Sequence, residues 1–257
     1  MCTVVVLYRP DDPWPVILAA NRDEMAERPA RPPNRHWPDR PHVVAGLDVL
    51  AGGTWLGLND DGVVACVLNR LRTLGPAPGL RSRGELPFIA LAHRTAADAA
   101  EALTAVDAAA YRPFNMVVAD SRGAFWMRAG GKADDDGPGA AGSLEVTAVP
   151  AGLSMITAYD RNDPASPRIH RYLPEFLSAP APQPDSGEWT AWQTLLASRE
   201  HDPDAGPGGA MTVVTETGFG TVSSSLLALP DAEGTPPPVW LYAAGRPGNA
   251  PYVPVNA

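Results

Sequence analysis

Only two cysteines occur in the 257 residues, Cys2 and Cys66, and no CxxC is present. A disulfide framework and a thiolate metal knuckle are both excluded as organising principles. The five histidines (His36, His42, His93, His170, His201) are scattered without metal-ligand spacing. No apolar run approaches the roughly 18 residues of a membrane-spanning helix. The first stretch of chain lacks a basic n-region and carries Asp11, Asp12, Pro13 and Pro15, so no signal peptide is expected. Net charge is −9 with no cluster of Lys and Arg, which disfavours binding to a nucleic-acid backbone. Neither GxGxxG nor GxxxxGK[ST] occurs to cradle a phosphate, and there is no internal repeat. The expectation at this point is a soluble cytoplasmic protein with no transmembrane segment and no required cofactor.

Hydrophobic residues make up 45% of the chain, enough to rule out wholesale disorder. The length suits one large domain spanning residues 1–257, because β-rich and layered folds reach that size as single units. Twenty-four glycines and 29 prolines, with abundant alanine, point to a GC-rich bacterial genome. The most informative residue is Cys2, which leads straight into the apolar run Val4–Leu7. With Met1 removed, Cys2 carries its own α-amine, whose reference pKa of about 7.7–8.0 lets it take a proton near neutrality. Thiol and amine together form a compact nucleophile and base. A small hydrophobe beginning an edge strand is the competing reading of the same residue, and its surroundings decide between them.

Thr3–Tyr8 and Trp14–Ala20 read as a hairpin around the turn cluster Arg9–Pro13. A turn centred near Asp11 places Ala20 opposite Cys2, and the polar tetrad Asn21-Arg22-Asp23-Glu24 emerges beside the thiol. A Pro/Arg-rich loop from Arg28 to Pro41 holds Trp37. Two apolar runs flank the turn Asn59-Asp60-Asp61-Gly62, as strands covered on both faces would. Ser82–Val106 is predicted helical, with Ser82 or Thr95 as N-cap. Strands are predicted at 114–119, 124–128, 144–149, 153–157, 211–215, 221–229 and 239–243. Helices are predicted at Ser166–Phe176 and Glu188–Glu200, and an acidic Gly-rich loop at Lys132–Gly142. Strands, helices, strands, helices, strands in that order suit two packed sheets covered by helices better than alternating βαβ units.

Several of these segments carry a family resemblance. Asn21-Arg22-Asp23-Glu24, Arg28-Pro29, Trp37, Gly46-Leu47-Asp48, Gly52–Gly57, Val67–Arg70, Phe114-Asn115 and Gly220-Thr221 with Ser223-Ser224 stand in the order of the NRDE, or transport and Golgi organisation protein 2, family. The resemblance implies an α+β fold of the N-terminal-nucleophile (Ntn) hydrolase type, a four-layer αββα sandwich of two antiparallel sheets between helices. It also implies kinship with cysteine amidases such as bile-salt hydrolases and penicillin V acylases. Carried over, Cys2 matches the nucleophile, Asp23 the carboxylate after the second strand, and Asn69 the oxyanion-hole asparagine. Where those relatives place an arginine before the tetrad's asparagine this chain has Ala20, with the arginine displaced to Arg22. Asp160 and Asn162 are candidates for a later catalytic asparagine position, and no second arginine is matched.

The chemistry of these residues is consistent with such a centre. Asp23 beside an α-ammonium favours a thiolate–ammonium pair. Asn69 offers an amide donor to an oxyanion, an interaction typically worth about 3–4 kcal/mol. Asn21, Arg22 and Glu24, with Trp37 and Trp55, are the binding candidates, Arg22 through its bidentate fork. The structural alternatives are a capped turn with internal salt bridges for the tetrad, core packing for the tryptophans, and outward hydroxyls for Thr221–Ser225. Two functions follow: hydrolysis of a non-peptide amide C–N bond by Cys2, or, since the family is associated with haem trafficking and acyl-CoA metabolism, carriage of haem or acyl-CoA. Small-molecule partners are expected and no nucleic acid.

Overall fold

A computed structural model describes residues 2–130, 144–232 and 236–256. The strands, in chain order, are β1 Thr3–Tyr8, β2 Val16–Met25, β3 Ala30–Asn34, β4 Val43–Asp48, β5 Leu56–Asn59, β6 Val64–Asn69, β7 Phe114–Asp120 and β8 Gly123–Ala129. They continue with β9 Leu144–Ala148, β10 Gly152–Ile156, β11 Phe219–Leu229, β12 Val239–Ala243 and β13 Tyr252–Pro254. The α-helices are α1 Leu86–Leu91, α2 Ala96–Thr104, α3 Pro167–Ser178 and α4 Thr190–Ala197. The class is α+β, with two antiparallel sheets. Met1 and the predicted loop Lys132–Gly142 lie outside the described residues. Among those described, no helix is long and apolar enough to cross a membrane.

The chain divides into two compact units. One is built from both ends of the chain, up to Arg28 and from Ala151 onward; the other is Pro29–Pro150. The first unit carries a sheet in the order β10-β1-β2-β11-β12-β13. Its central strands are β-branched and apolar, and Val5, Ile17, Ala19, Leu226 and Ala228 share a core with Ile169, Tyr172 and Phe176 of α3 and Trp192 and Leu196 of α4. Helix α3 starts at Ser166, whose hydroxyl accepts from the Ile169 N–H, with Pro167 in the first turn. Its three buried apolar side chains each contribute about 1.5–3 kcal/mol, and Phe176 meets Trp192 edge-on at 5.3 Å.

The hairpin turn is closed by Arg9 N–H donating to Pro15 O (2.7 Å) and by Asp12 Oδ1 accepting from Trp14 N–H (3.0 Å). The turn is therefore centred one residue later than predicted. Thr3 pairs with Asn21 and Val4 with Ala20, so Ala20 does not face Cys2. One further step puts Arg22 in register with Cys2. The tetrad does not emerge from the sheet either. It lies inside β2, because β11 pairs along it from Leu229–Val16 to Phe219–Met25.

The second unit has the order β3-β4-β5-β6-β7-β8-β9, with α1 and α2 packed on residues such as Val43, Ala65, Met116 and Met127. Part of the predicted Arg28–Pro41 loop is the edge strand β3, where Pro32 and Pro33 coincide with a shift in register between Arg31 and Asn34. The predicted long helix is two. Thr95 is extended and its hydroxyl accepts from Asp98 N–H, while Asp120 accepts from Ala96 N–H (2.7 Å), so a second helix starts there. Of the predicted strand 211–215, an isolated bridge from Val214 to Gly220 is formed.

Candidate active site around Cys2

The first unit holds Cys2, Asn21, Arg22, Asp23 and Glu24; the second holds Asn69, Trp37 and Trp55. Cys2 precedes β1, and its sulfur accepts from the Asp23 backbone N–H at 3.4 Å and lies 3.6 Å from Asp23 O. The thiol therefore meets Asp23 through the main chain. The Asp23 carboxylate is fully buried and held from two directions. Oδ1 accepts from Thr221 Oγ1 at 2.6 Å, and Oδ2 from Arg168 Nη1 at 3.2 Å. Arg168 also donates to Thr3 Oγ1 (2.5 Å) and to Gly208 O (3.0 Å).

Strand alternation sorts these groups. Thr3, Asn21 and Asp23 face the helices, as their bonds to Arg168 of α3 and Leu196 O of α4 require. Cys2 and Arg22, one residue out of phase, take the other face. The shift in register between Thr221 and Ser223 keeps β11 matched to both: Thr221 stands opposite Asp23, and Ser223 opposite Arg22. Gly220 makes room for this, since a Cβ there would lie 2.6 Å from Val213 O. The Val213 N–H in turn donates to Thr221 Oγ1 (2.8 Å), fixing the hydroxyl on Asp23. The hydroxyls of β11 are thus buried and bonded rather than outward, because the strand is central in its sheet.

Burial pushes the Cys2 thiol above its ordinary value, and the Asp23 charge adds to that; the N-terminal ammonium, the Asp23 N–H and the Arg22 cation pull the other way. The predicted thiolate-favouring site is therefore opposed by desolvation.

Asn21 is committed to the framework. It donates to Leu196 O (3.0 Å) and Met211 O (2.9 Å), and its oxygen accepts from Ser224, which in turn accepts from Tyr252. Glu24 lies 3.9 Å from Arg22 and 3.7 Å from Arg28, near the predicted pattern of internal salt bridges. Burial pushes the Tyr242 phenol up while Ser223 and Arg22 pull it down, and strand register places the three on the thiol's face.

Asn69 ends β6, paired with Phe114. Trp37 donates to Gly52 O (3.1 Å) and packs edge-on against Phe88. Trp55 lies over Gly46, where a Cβ would come within 2.4 Å of the indole. Asn162 accepts from Met155 N–H (2.7 Å) and takes a left-handed φ of 56°, a turn role beside β10. Among the described residues no group of side chains could hold a metal ion.

Arg168 is the residue that motif reasoning misses; Thr221 stands in the family motif, but its bond to Asp23 is not foreseen. A signal for Arg168 was present. A cation in the first turn of a helix opposes the macrodipole, and Ser166-Pro167 marks that turn, so the arginine needs a partner elsewhere.

A model of the family described as Transport and Golgi organisation 2 matches residues 1–138. A Transport and Golgi organization protein 2 homolog from Bos taurus is 35% identical over 132 residues, covering 47% of this chain and 45% of the relative. The Homo sapiens homolog is 32% identical over the same shares. The match thus spans less than half the length of these curated relatives. Among solved structures, an N-acylethanolamine-hydrolyzing acid amidase ortholog from Caenorhabditis elegans superposes with a TM-score of 0.54 at 12% identity, covering 88% of this chain and 92% of that one. A conjugated bile acid hydrolase variant from Clostridium perfringens gives 0.54 at 12%, covering 99% and 93%. Penicillin V acylase from Agrobacterium tumefaciens gives 0.51 at 12%, covering 95% and 83%. At such identity the likeness shows the fold alone, which is that of the Ntn hydrolases.

Proposed function

The chain belongs to the Transport and Golgi organisation 2 family, and from that premise we propose that it hydrolyses a non-peptide amide C–N bond with Cys2 as nucleophile. The observation that carries this reading is the thiol seated on the main chain of a fully buried aspartate, itself held by an arginine and a threonine. Three proteins of like fold, named as an amidase, an acylase and a hydrolase, support the reaction class. Removal of what precedes Cys2 creates an α-amine at the end of β1 where Asp23 stands. The amine takes the thiol proton, and the sulfur attacks the amide carbon. The C–N bond breaks as the leaving nitrogen is protonated, and water then cleaves the thioester.

The test is Cys2→Ala in a screen of acylated amino compounds. Turnover is expected to vanish while ligand binding persists, because the nucleophile acts in the transition state. Hydrolysis that survives the substitution overturns the reading. Peptide mapping after limited iodoacetamide provides a second check: Met1 should be absent and Cys2 labelled faster than Cys66.

A second reading is favoured by the burial that keeps the thiol protonated: a carrier that grips an acidic headgroup, a haem propionate or a CoA phosphate, through Arg22. Here Cys2→Ala leaves haem or acyl-CoA titrations unchanged and Arg22→Ala weakens them. No binding by the wild type removes this reading for those ligands.

A further inference from the structure

Arg168 is nearly sealed from solvent, 3% exposed against 0% for its partner Asp23. Burying such a pair costs several kcal/mol of desolvation per ion, and the arginine also sits at the unfavourable end of its helix. Its fork spans three attachments: the Asp23 carboxylate, the Thr3 hydroxyl one residue from Cys2, and Gly208 O. One guanidinium nitrogen thus ties β1 to β2 beside the nucleophile. If anchoring α3 were its whole task, neutral partners would serve with less desolvation. The carboxylate is needed only where something next to it uses its charge or its shape.

We propose that Arg168 is a positioning residue for Cys2: it fixes the Asp23 carboxylate between β1 and β2 and offsets its charge, so that a thiolate can form against the Asp23 main chain. This rests on Cys2 being the reacting group. The N-terminal ammonium favours the thiolate, and the described residues bring the following groups to the centre. Strand β2 brings Asp23 and Arg22, and α3 brings Arg168. Strand β11 brings the hydroxyls of Thr221 and Ser223, β12 brings Tyr242, and β10 carries no charge. Asp23 opposes thiolate formation and Arg22 favours it. Removing Arg168 therefore takes away a cation bonded directly to the opposing carboxylate.

The experiment reads the pH dependence of iodoacetamide labelling at Cys2, with amide turnover assayed separately so that a non-catalytic Cys2 is distinguished from a failed Arg168 role. Arg168→Gln is expected to slow labelling at neutral pH about tenfold and move its midpoint upward, the order of effect that a nearby unpaired charge produces. Arg168→Lys should restore most of the rate. In an Asp23→Asn background, Arg168→Gln should change nothing. An unchanged midpoint in Arg168→Gln with a lowered Tm overturns the proposal and leaves Arg168 a structural anchor. If Arg168→Gln does not fold, the double variant, neutral on both sides, decides alone. Labelling equal to that of Asp23→Asn supports the proposal, and a further loss sinks it.

Discussion

Each unit buries an arginine against a polar side chain of a strand, and the two contacts differ in kind. In the first unit Arg168 reaches the carboxylate of Asp23. In the second, Arg70, equally buried, donates to the neutral amide oxygen of Asn115 at 3.0 Å, and Trp126 donates to the same atom at 3.3 Å. The Arg70 end of β6 is fastened further by Thr73, whose hydroxyl donates to Arg70 O and Pro113 O. There the contact with the strand is to a neutral acceptor at a strand end. The carboxylate is placed where a thiol lies against its own backbone. The two acceptors differ in charge, and only the charged one has a thiol on its own main chain.

Substitution at the two acceptors tests this contrast directly. Asp23→Ala leaves the Arg168 cation buried without its counter-charge and should cost about 3–5 kcal/mol in urea unfolding. Asn115→Ala removes a neutral acceptor and should cost about 1–3 kcal/mol. Equal losses would erase the distinction. Asp23→Asn, which keeps the shape without the charge, sharpens it: stability should fall less than in Asp23→Ala, with labelling of Cys2 no slower than in the wild type.

The smallest effect lies on the hydroxyl chain behind Asn21. Burial pushes Tyr252 from 10.0 up to about 12. The folded state holds that proton more tightly than the unfolded one, so the contribution is intact below pH 10 and is lost as pH rises through about 12. Tyr252→Phe should cost about 1 kcal/mol at neutral pH and flatten part of the alkaline loss, read from urea midpoints at several pH values.

What the sequence made legible was local. Thr3–Tyr8 announces itself by its β-branched run, and the turn expected near Asp11 is centred on Asp12. That small error moved the partner of Cys2 from Ala20 to Arg22, because register converts one residue of turn into two residues of pairing. Cys2 and Asp23 were found as a pair because they share a hairpin. Arg168 and Thr221 were not, since they lie 145 and 198 residues from Asp23 and no periodicity encodes such meetings. The β11 hydroxyls were misplaced for the same reason: whether a strand is central or at an edge depends on partners far along the chain. Helix 82–106 was drawn too long because the capping at Thr95 competes with alanine propensity.

The discontinuous make-up of the first unit has a consequence for synthesis. As the chain leaves the ribosome, the hairpin bearing Cys2 emerges before α3 and β11 and waits for both. Pro29–Pro150, continuous in sequence, can collapse in the meantime. The thiol is thus translated well before the groups that equip its site. Asp23 gains its arginine only with α3 and its threonine only with β11, and until then the nascent polypeptide carries a cysteine without the apparatus to activate it.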